Sequence, residues 1–268
     1  MPTSIIVQPP EPSAYELAQI ARIRAWRERP PGFVERAAEL ALSPLSRTVT
    51  GIIPERAIER VLRASDWLAE RMVGPMAAEA ATAPLEVLDA EAEAVRKWAI
   101  AYAGGEGAIA GAVGLLSLPV DLPTLVALSL RTIRRTGAAY GYDATSETER
   151  QFVYAVLSLA SANSMRQKRV ALNALTGIET RVLAQNWAAL GERAARRGAG
   201  AEAALLLVRD LAKELGINLS KRKMLAAVPL IGAAIGATLN GWYMRDIADA
   251  ARRAYQERWL RDRGMFPD

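Results

Sequence analysis

Neither cysteine nor histidine occurs anywhere in the 268 residues. Zinc, haem and iron–sulfur centres therefore lose their usual ligands, and Cys- or His-based nucleophilic mechanisms have nothing to work with. A hard cation held by carboxylates stays open, but no cofactor is predicted. Aromatic residues make up only 6% of the chain and β-branched residues are thin, while alanine does much of the filling. Alanine is the best helix former, so this composition predicts an all-α protein, a single multi-helix bundle. No alternating strand pattern and no fixed-period repeat appears. Also missing are a phosphate-cradling Gly-x-x-x-x-Gly-Lys-Ser/Thr loop and a Gly-x-Ser-x-Gly elbow. The opening MPTSIIVQPPEPS lacks the basic start and long apolar stretch of a secretory signal, which predicts a cytoplasmic protein with a disordered, proline-rich lead over 1–12.

What is present is helical periodicity with clear punctuation. A helix is predicted from Ser13, with Leu17, Ile20 and Ala21 on one face, stopping at Pro30-Pro31-Gly32. Ile58, Val61, Leu62, Ser65 and Leu68 mark another before Gly74-Pro75. Residues 13–80 are read as an N-terminal helical segment packed on a main helical domain over 81–268. That domain opens with the stripe Leu85, Leu88, Ala92, Val95, Ala99 and Tyr102, and Gly104-Gly105 is a natural stop. Ser146 and Glu149 form a capping box, and further helices fit 165–190 and 200–215. From Pro229 the chain runs toward Arg263 with only Gly241 as a breaker.

Two weakly charged regions are predicted to be central helices, at 106–118 and 228–244. Gly107, Gly111 and Gly114 recur in the first, and Gly232, Gly236 and Asn240 in the second, a spacing that lets helix backbones approach closely. Residues 224–244 have the length of a membrane span, with Lys221, Arg222 and Lys223 on one flank and Arg245 on the other. Pro229, the glycines and Asn240 dilute that span. Three readings stay open: a span, a helix buried all round, or a bundle whose apolar hairpin dips into the bilayer. The formal charge of +5 suits an anionic membrane surface at Lys221, Arg222 and Lys223, and no nucleic-acid partner is expected. In the last helix, arginines at 245, 252, 253, 258, 261 and 263 are largely offset by Asp246, Asp249, Glu257 and Asp262, which favours a salt-bridged surface helix.

Asp121 sits between Pro119 and Pro123 in the most apolar part of the chain. It either caps the following helix or marks a site. The sharper reading joins Arg131, Arg134 and Arg135 with Tyr140, Tyr142 and Asp143 of the following turn, and Asn240, into an anion or headgroup site beside an apolar groove. Gly141 would supply a left-handed cap there. Carboxylate pairs such as Glu91/Glu93 and Glu147/Glu149 are expected to be solvated.

Three separated blocks then carry a resemblance. GGEGAIAGAVGLLSLPVDLP running on to Tyr-Gly-Tyr-Asp, SETERQFVYAVLSLAS, and the Pro-x-x-Gly-Ala-x-x-Gly-Ala-x-x-Asn block from Pro229 resemble the EcsC protein family over roughly 85–265. The family takes its name from a bacterial gene beside those for an ABC transporter linked to secretion. The resemblance implies an all-helical, membrane-associated or transport-linked protein, with no catalytic residues to carry over. The leading expectation is a non-enzymatic protein at the cytoplasmic face of the inner membrane, binding a lipid or acyl chain, with a membrane transporter as candidate partner. The alternatives are a hydrolase using Asp121 or Asp143 with Arg131 and Arg134, or a weak nucleic-acid binder.

Overall fold

The computed structural model describes residues 11–30, 80, 82–111, 118–143, 147–162, 164–188 and 229–267, with 104–111, 118–124, 147–148, 179–188 and 229–240 described as backbone. Among these, the regular structure is helical: α1 (Ala14–Glu28), α2 (Leu85–Gly111), α3 (Leu118–Ala139), α4 (Glu147–Ala160), α5 (Met165–Ala188) and α6 (Pro229–Asp262). The all-α expectation holds. Ile58 to Leu68, Gly114, the helix at 200–215 and Lys221 to Lys223 lie outside the described residues, as does Ser146 of the capping box.

The two longest of the described helices, α2 and α6, pack along each other more extensively than any other described pair. They run antiparallel, because Asp89 meets Gln256, Glu93 meets Arg252, and Arg96 meets Asp249. Helix α3 is antiparallel to α2, with Tyr140 at Asp89 and Arg131 at Trp98, and so parallel to α6. The C-terminus of α2 and the N-termini of α3 and α6 therefore share one end of the bundle. Of the predicted α2 stripe, Leu85, Leu88, Ala92 and Ala99 are buried and Val95 is half-buried; Tyr102 is exposed and Ala103 takes the inward position instead.

Four sequence expectations are corrected. Helix α2 does not stop at Gly104-Gly105 but continues to Gly111. Each glycine costs about 1 kcal/mol against alanine in a helix interior, which extended packing along α6 can offset. The region expected as a separate helix over 106–118 is thus divided between the end of α2 and the start of α3. Helix α3 begins at Leu118, so Asp121 lies inside it rather than capping it. Pro119 falls in the first turn, where its missing N–H is not needed, so the helix can start ahead of it. On α1 the inward residues are Gln19, Ile20 and Ile23, while Leu17 and Ala21 are exposed.

Helix ends follow their local chemistry. Ser13 and Glu16 form a reciprocal capping box at α1, the Ser13 hydroxyl accepting from the Glu16 N–H. At the end of α3, Gly141 has φ +83°, and the Tyr142 N–H reaches back to the Gly137 carbonyl at 3.0 Å while Gly141 reaches Ala138. This is the left-handed cap expected of Gly141. Gly264, φ +70°, closes α6 in the same way through Met265 to Leu260. Buried hydroxyls on α3 bond back one turn, Ser129 to Leu125, Thr132 to Leu128 and Thr136 to Thr132, so none is left bare in the core.

Lys168 on α5 closes the C-terminus of α1. Its ammonium donates to the carbonyls of Trp26 and Arg29 and lies 4.5 Å from the Trp26 ring centroid. Burial, with Arg29 as a second cause, pushes its pKa down from 10.5 to about 8. Between those values the unfolded chain binds more protons than the native one, so stability should rise with pH from about 8 toward 10 and stay flat below. Urea unfolding of wild type and Lys168→Met across that window checks this; the rise should be absent from the variant. Above pH 10 the buried tyrosines act oppositely, since their raised pKa values keep protons the unfolded chain has lost.

Candidate functional site

The sequence-predicted site does not assemble as one cluster. Asp121 and Arg131 sit ten residues apart on α3, about 15 Å along the axis. Asp143 lies beyond the opposite end of the same helix, exposed. Arg134 is fully buried, Arg135 is exposed, and Asn240 is described only as a backbone position within α6. The grouping of Asp121 or Asp143 with Arg131 and Arg134 is thus spread along α3 and past its end.

Tyr140 belongs to a buried centre around Asp89. The carboxylate is 2% exposed and accepts from the Tyr15 hydroxyl at 2.6 Å, from Tyr140, and from Gln256 at 2.7 Å to each oxygen. Arg252 stands 3.4 Å away and also pairs with Glu93. Gln19, itself buried, accepts from Arg253, which also donates to Gln256 at 2.7 Å. Both oxygens of Asp89 are engaged by donors. Burial and the adjacent carboxylate push both tyrosines up, Tyr15 to about 12 and Tyr140 well above the usual phenol value. Both phenols stay protonated as donors, and neither is poised as a nucleophile.

Tyr142 belongs to a second buried centre, around Glu149. That carboxylate accepts from Tyr255 and from Arg258 at 2.7 Å. The expectation of a solvated Glu149 is therefore wrong: it is 3% exposed, drawn inward by a tyrosine and an arginine of α6. The Arg258 guanidinium lies 4.0 Å from the Tyr142 ring centroid and 4.6 Å from that of Phe152. Tyr142 in turn donates to Asp262 at 2.8 Å. The arginines 252, 253, 258 and 261 of the last helix thus face acids and amides of their own fold, but the helix expected at the surface lies in the core, with Met244, Ile247, Ala251, Tyr255 and Leu260 buried.

Arg131 stands apart from both centres. Its guanidinium lies 3.8 Å from the Trp98 ring centroid, and Trp98 stacks on Tyr102 at 5.1 Å. Both rings are about two-fifths exposed. The Nε and Nη1 of Arg131 are buried without a hydrogen-bond partner among the described residues. Burial, then the like charge of Arg135, pulls its pKa below the usual arginine value. A cation held against an aromatic pair and short of acceptors is suited to an anionic oxygen. No group of three or more acidic residues that could hold a metal occurs among the described residues. No helix there is long and apolar enough to cross a membrane.

Sequence reasoning missed Asp89, Tyr15, Gln19 and Gln256 as the polar core. The available signal was position: Asp89 follows Leu88, Gln19 precedes Ile20 and Gln256 follows Tyr255, each beside an inward residue.

A family model described as the EcsC protein family matches residues 18–260, beginning well before the blocks that carry the likeness in sequence. A protein of Bacillus subtilis (strain 168), described as uncharacterized protein YdbA, is 30% identical over 181 residues, 68% of this chain. The match spans 61% of that relative's length. No solved structure matches significantly.

Proposed function

The chain belongs to the EcsC protein family, and we propose that it works without catalysis at an anionic membrane surface, the cytoplasmic face of the inner membrane, binding a lipid or acyl chain in support of transport or secretion. The observation that carries this reading is the Trp98–Tyr102 stack over Arg131, an exposed aromatic pair with a cation short of acceptors. Tyrosine and tryptophan present an apolar body and a polar tip, which suits the layer where lipid meets water. Arg135, exposed one turn on, and Arg245, its side chain about half exposed, can add charge. The non-enzymatic part is supported by the two buried carboxylates, both engaged by donors of their own fold.

Flotation with vesicles tests the reading. The protein should rise with phosphatidylglycerol-containing vesicles at low ionic strength, rise less with purely zwitterionic ones, and be partly released by salt. Replacing Arg131, Arg135 and Arg245 together by glutamine should weaken binding by roughly 1 kcal/mol for each arginine that reaches the surface. Mass spectrometry of organic extracts from the purified protein checks for a bound acyl chain. Absence from anionic vesicles at low salt would end the membrane reading.

A further inference from the structure

Charge is distributed along the three central helices in the same way. In α2, residues 85–97 carry six charged side chains and 98–111 carry one, Glu106. In α3, 118–130 carry one, Asp121, and 131–139 carry three. In α6, 229–244 carry none and 245–262 carry nine. The pairings across the bundle set these three boundaries at one level. Arg131 lies on Trp98, and the register fixed by Arg96–Asp249 puts Arg245 within a turn of it. A single plane thus divides a charged half, which holds the Asp89 and Glu149 centres, from a nearly uncharged end made by the C-terminus of α2 and the N-termini of α3 and α6.

The surface at that plane is distinctive. The exposed large aromatics among the described residues are Trp98, Tyr102 and Trp242, 39–42% exposed, and all fall within about a turn of it. The other exposed large apolar residues, Leu17, Val87 and Val170, are aliphatic. Arg131, Arg135 and Arg245 stand beside the aromatic level on its charged side. Tryptophan and tyrosine at such a level, with arginines behind, are what a membrane interface selects. The uncharged end is 14 residues long in α2 and 16 in α6, so it extends about 21–24 Å at 1.5 Å per residue. That is deeper than one leaflet of a hydrocarbon core about 30 Å thick and too short to cross both.

We propose that the protein docks end-on: the uncharged end enters the bilayer from one anionic face and stops short of the other, Trp98, Tyr102 and Trp242 lie in the interfacial layer, and Arg131, Arg135 and Arg245 meet lipid phosphates. This rests on the membrane-surface reading and adds orientation and depth to it. The charged half, with α1, then stands away from the bilayer.

The cysteine-free chain allows single-site labelling. Tyr102→Cys and Trp242→Cys carry an environment-sensitive nitrobenzoxadiazole label at the proposed interface, and Leu17→Cys carries it on exposed α1 as control. With vesicles of phosphatidylglycerol and phosphatidylethanolamine, the first two labels should shift to the blue and brighten. Nitroxides placed near the headgroup should quench them more than nitroxides deep in the acyl chains, and the Leu17→Cys label should not respond. If the protein floats but the Leu17→Cys label responds, or no label does, end-on docking is wrong while membrane binding stands. If it does not float at all, both fail. Two interface positions, each checked for a wild-type helical spectrum, keep one misfolded variant from deciding the outcome.

Discussion

Asp89→Ala should be the most damaging single substitution at a polar residue among the described residues, lowering stability by about 3–5 kcal/mol, the range for removing one partner of a buried ionic centre. The carboxylate holds Tyr15 from α1, Tyr140 from the end of α3, and Gln256 and Arg252 from α6. Truncation leaves three neutral donors and a half-buried guanidinium facing a cavity, each having given up water to be there. Asp89→Asn keeps the shape but turns an N–H2 toward a ring of donors, so it should lie between wild type and alanine. Urea unfolding followed by circular dichroism reads both variants. A loss below about 1 kcal/mol for alanine would mean that water reaches these groups freely and that the centre is not closed.

Gly137→Ala should cost about 1–3 kcal/mol although it adds one methyl group, because overpacked cores relax poorly. A Cβ at this position would stand 2.6 Å from both Cζ and the hydroxyl oxygen of Tyr255. That ring cannot step aside easily. Phe152, Tyr142 and Tyr140 surround it at centroid distances of 4.9, 5.5 and 6.3 Å, and its hydroxyl is tied to Glu149. A double-mutant cycle identifies the cause: Tyr255→Leu should cost less in the Gly137→Ala background than alone, since the shorter side chain removes the clash. Simple additivity would place the origin of the loss elsewhere.

The helices were legible where local chemistry decides them. Ser13 with Glu16, the stripe from Leu85 to Ala99, and Gly141 at the close of α3 all act within a few residues of their own position. Gly104-Gly105 misled because a glycine pair stops a helix only when nothing packs along it, and that packing comes from α6, more than a hundred residues away. Asp121 misled for a related reason, since a cap residue is recognised by where its helix begins and Pro119 let α3 start earlier. The polar core was hidden more deeply. Periodicity shows which face turns inward but not which polar residues turn with it. Asp89 is separated from Gln256 by 167 positions and from Tyr15 by 74, so neither partner can be read near the other. The aromatic level at Trp98 was split in the same way, for Arg131 reads as part of a basic cluster until α3 folds back along α2.

The ties holding α1 set an order on how the chain can be completed during synthesis. Arg27 pairs with Glu257, Arg253 reaches Gln19, and the Arg24 guanidinium lies 5.9 Å from the Phe266 ring centroid, so these anchors come from the last helix and the tail behind it. The partner of Arg27 is 230 positions downstream. At roughly 5–20 residues per second, α1 leaves the ribosome about 10–50 s before those partners exist. Loop closure over such separations is slow and comes late in folding. Helix α1 can therefore meet Asp89 and Lys168 early, but its ties to α6 must wait until more than two hundred further residues have been made.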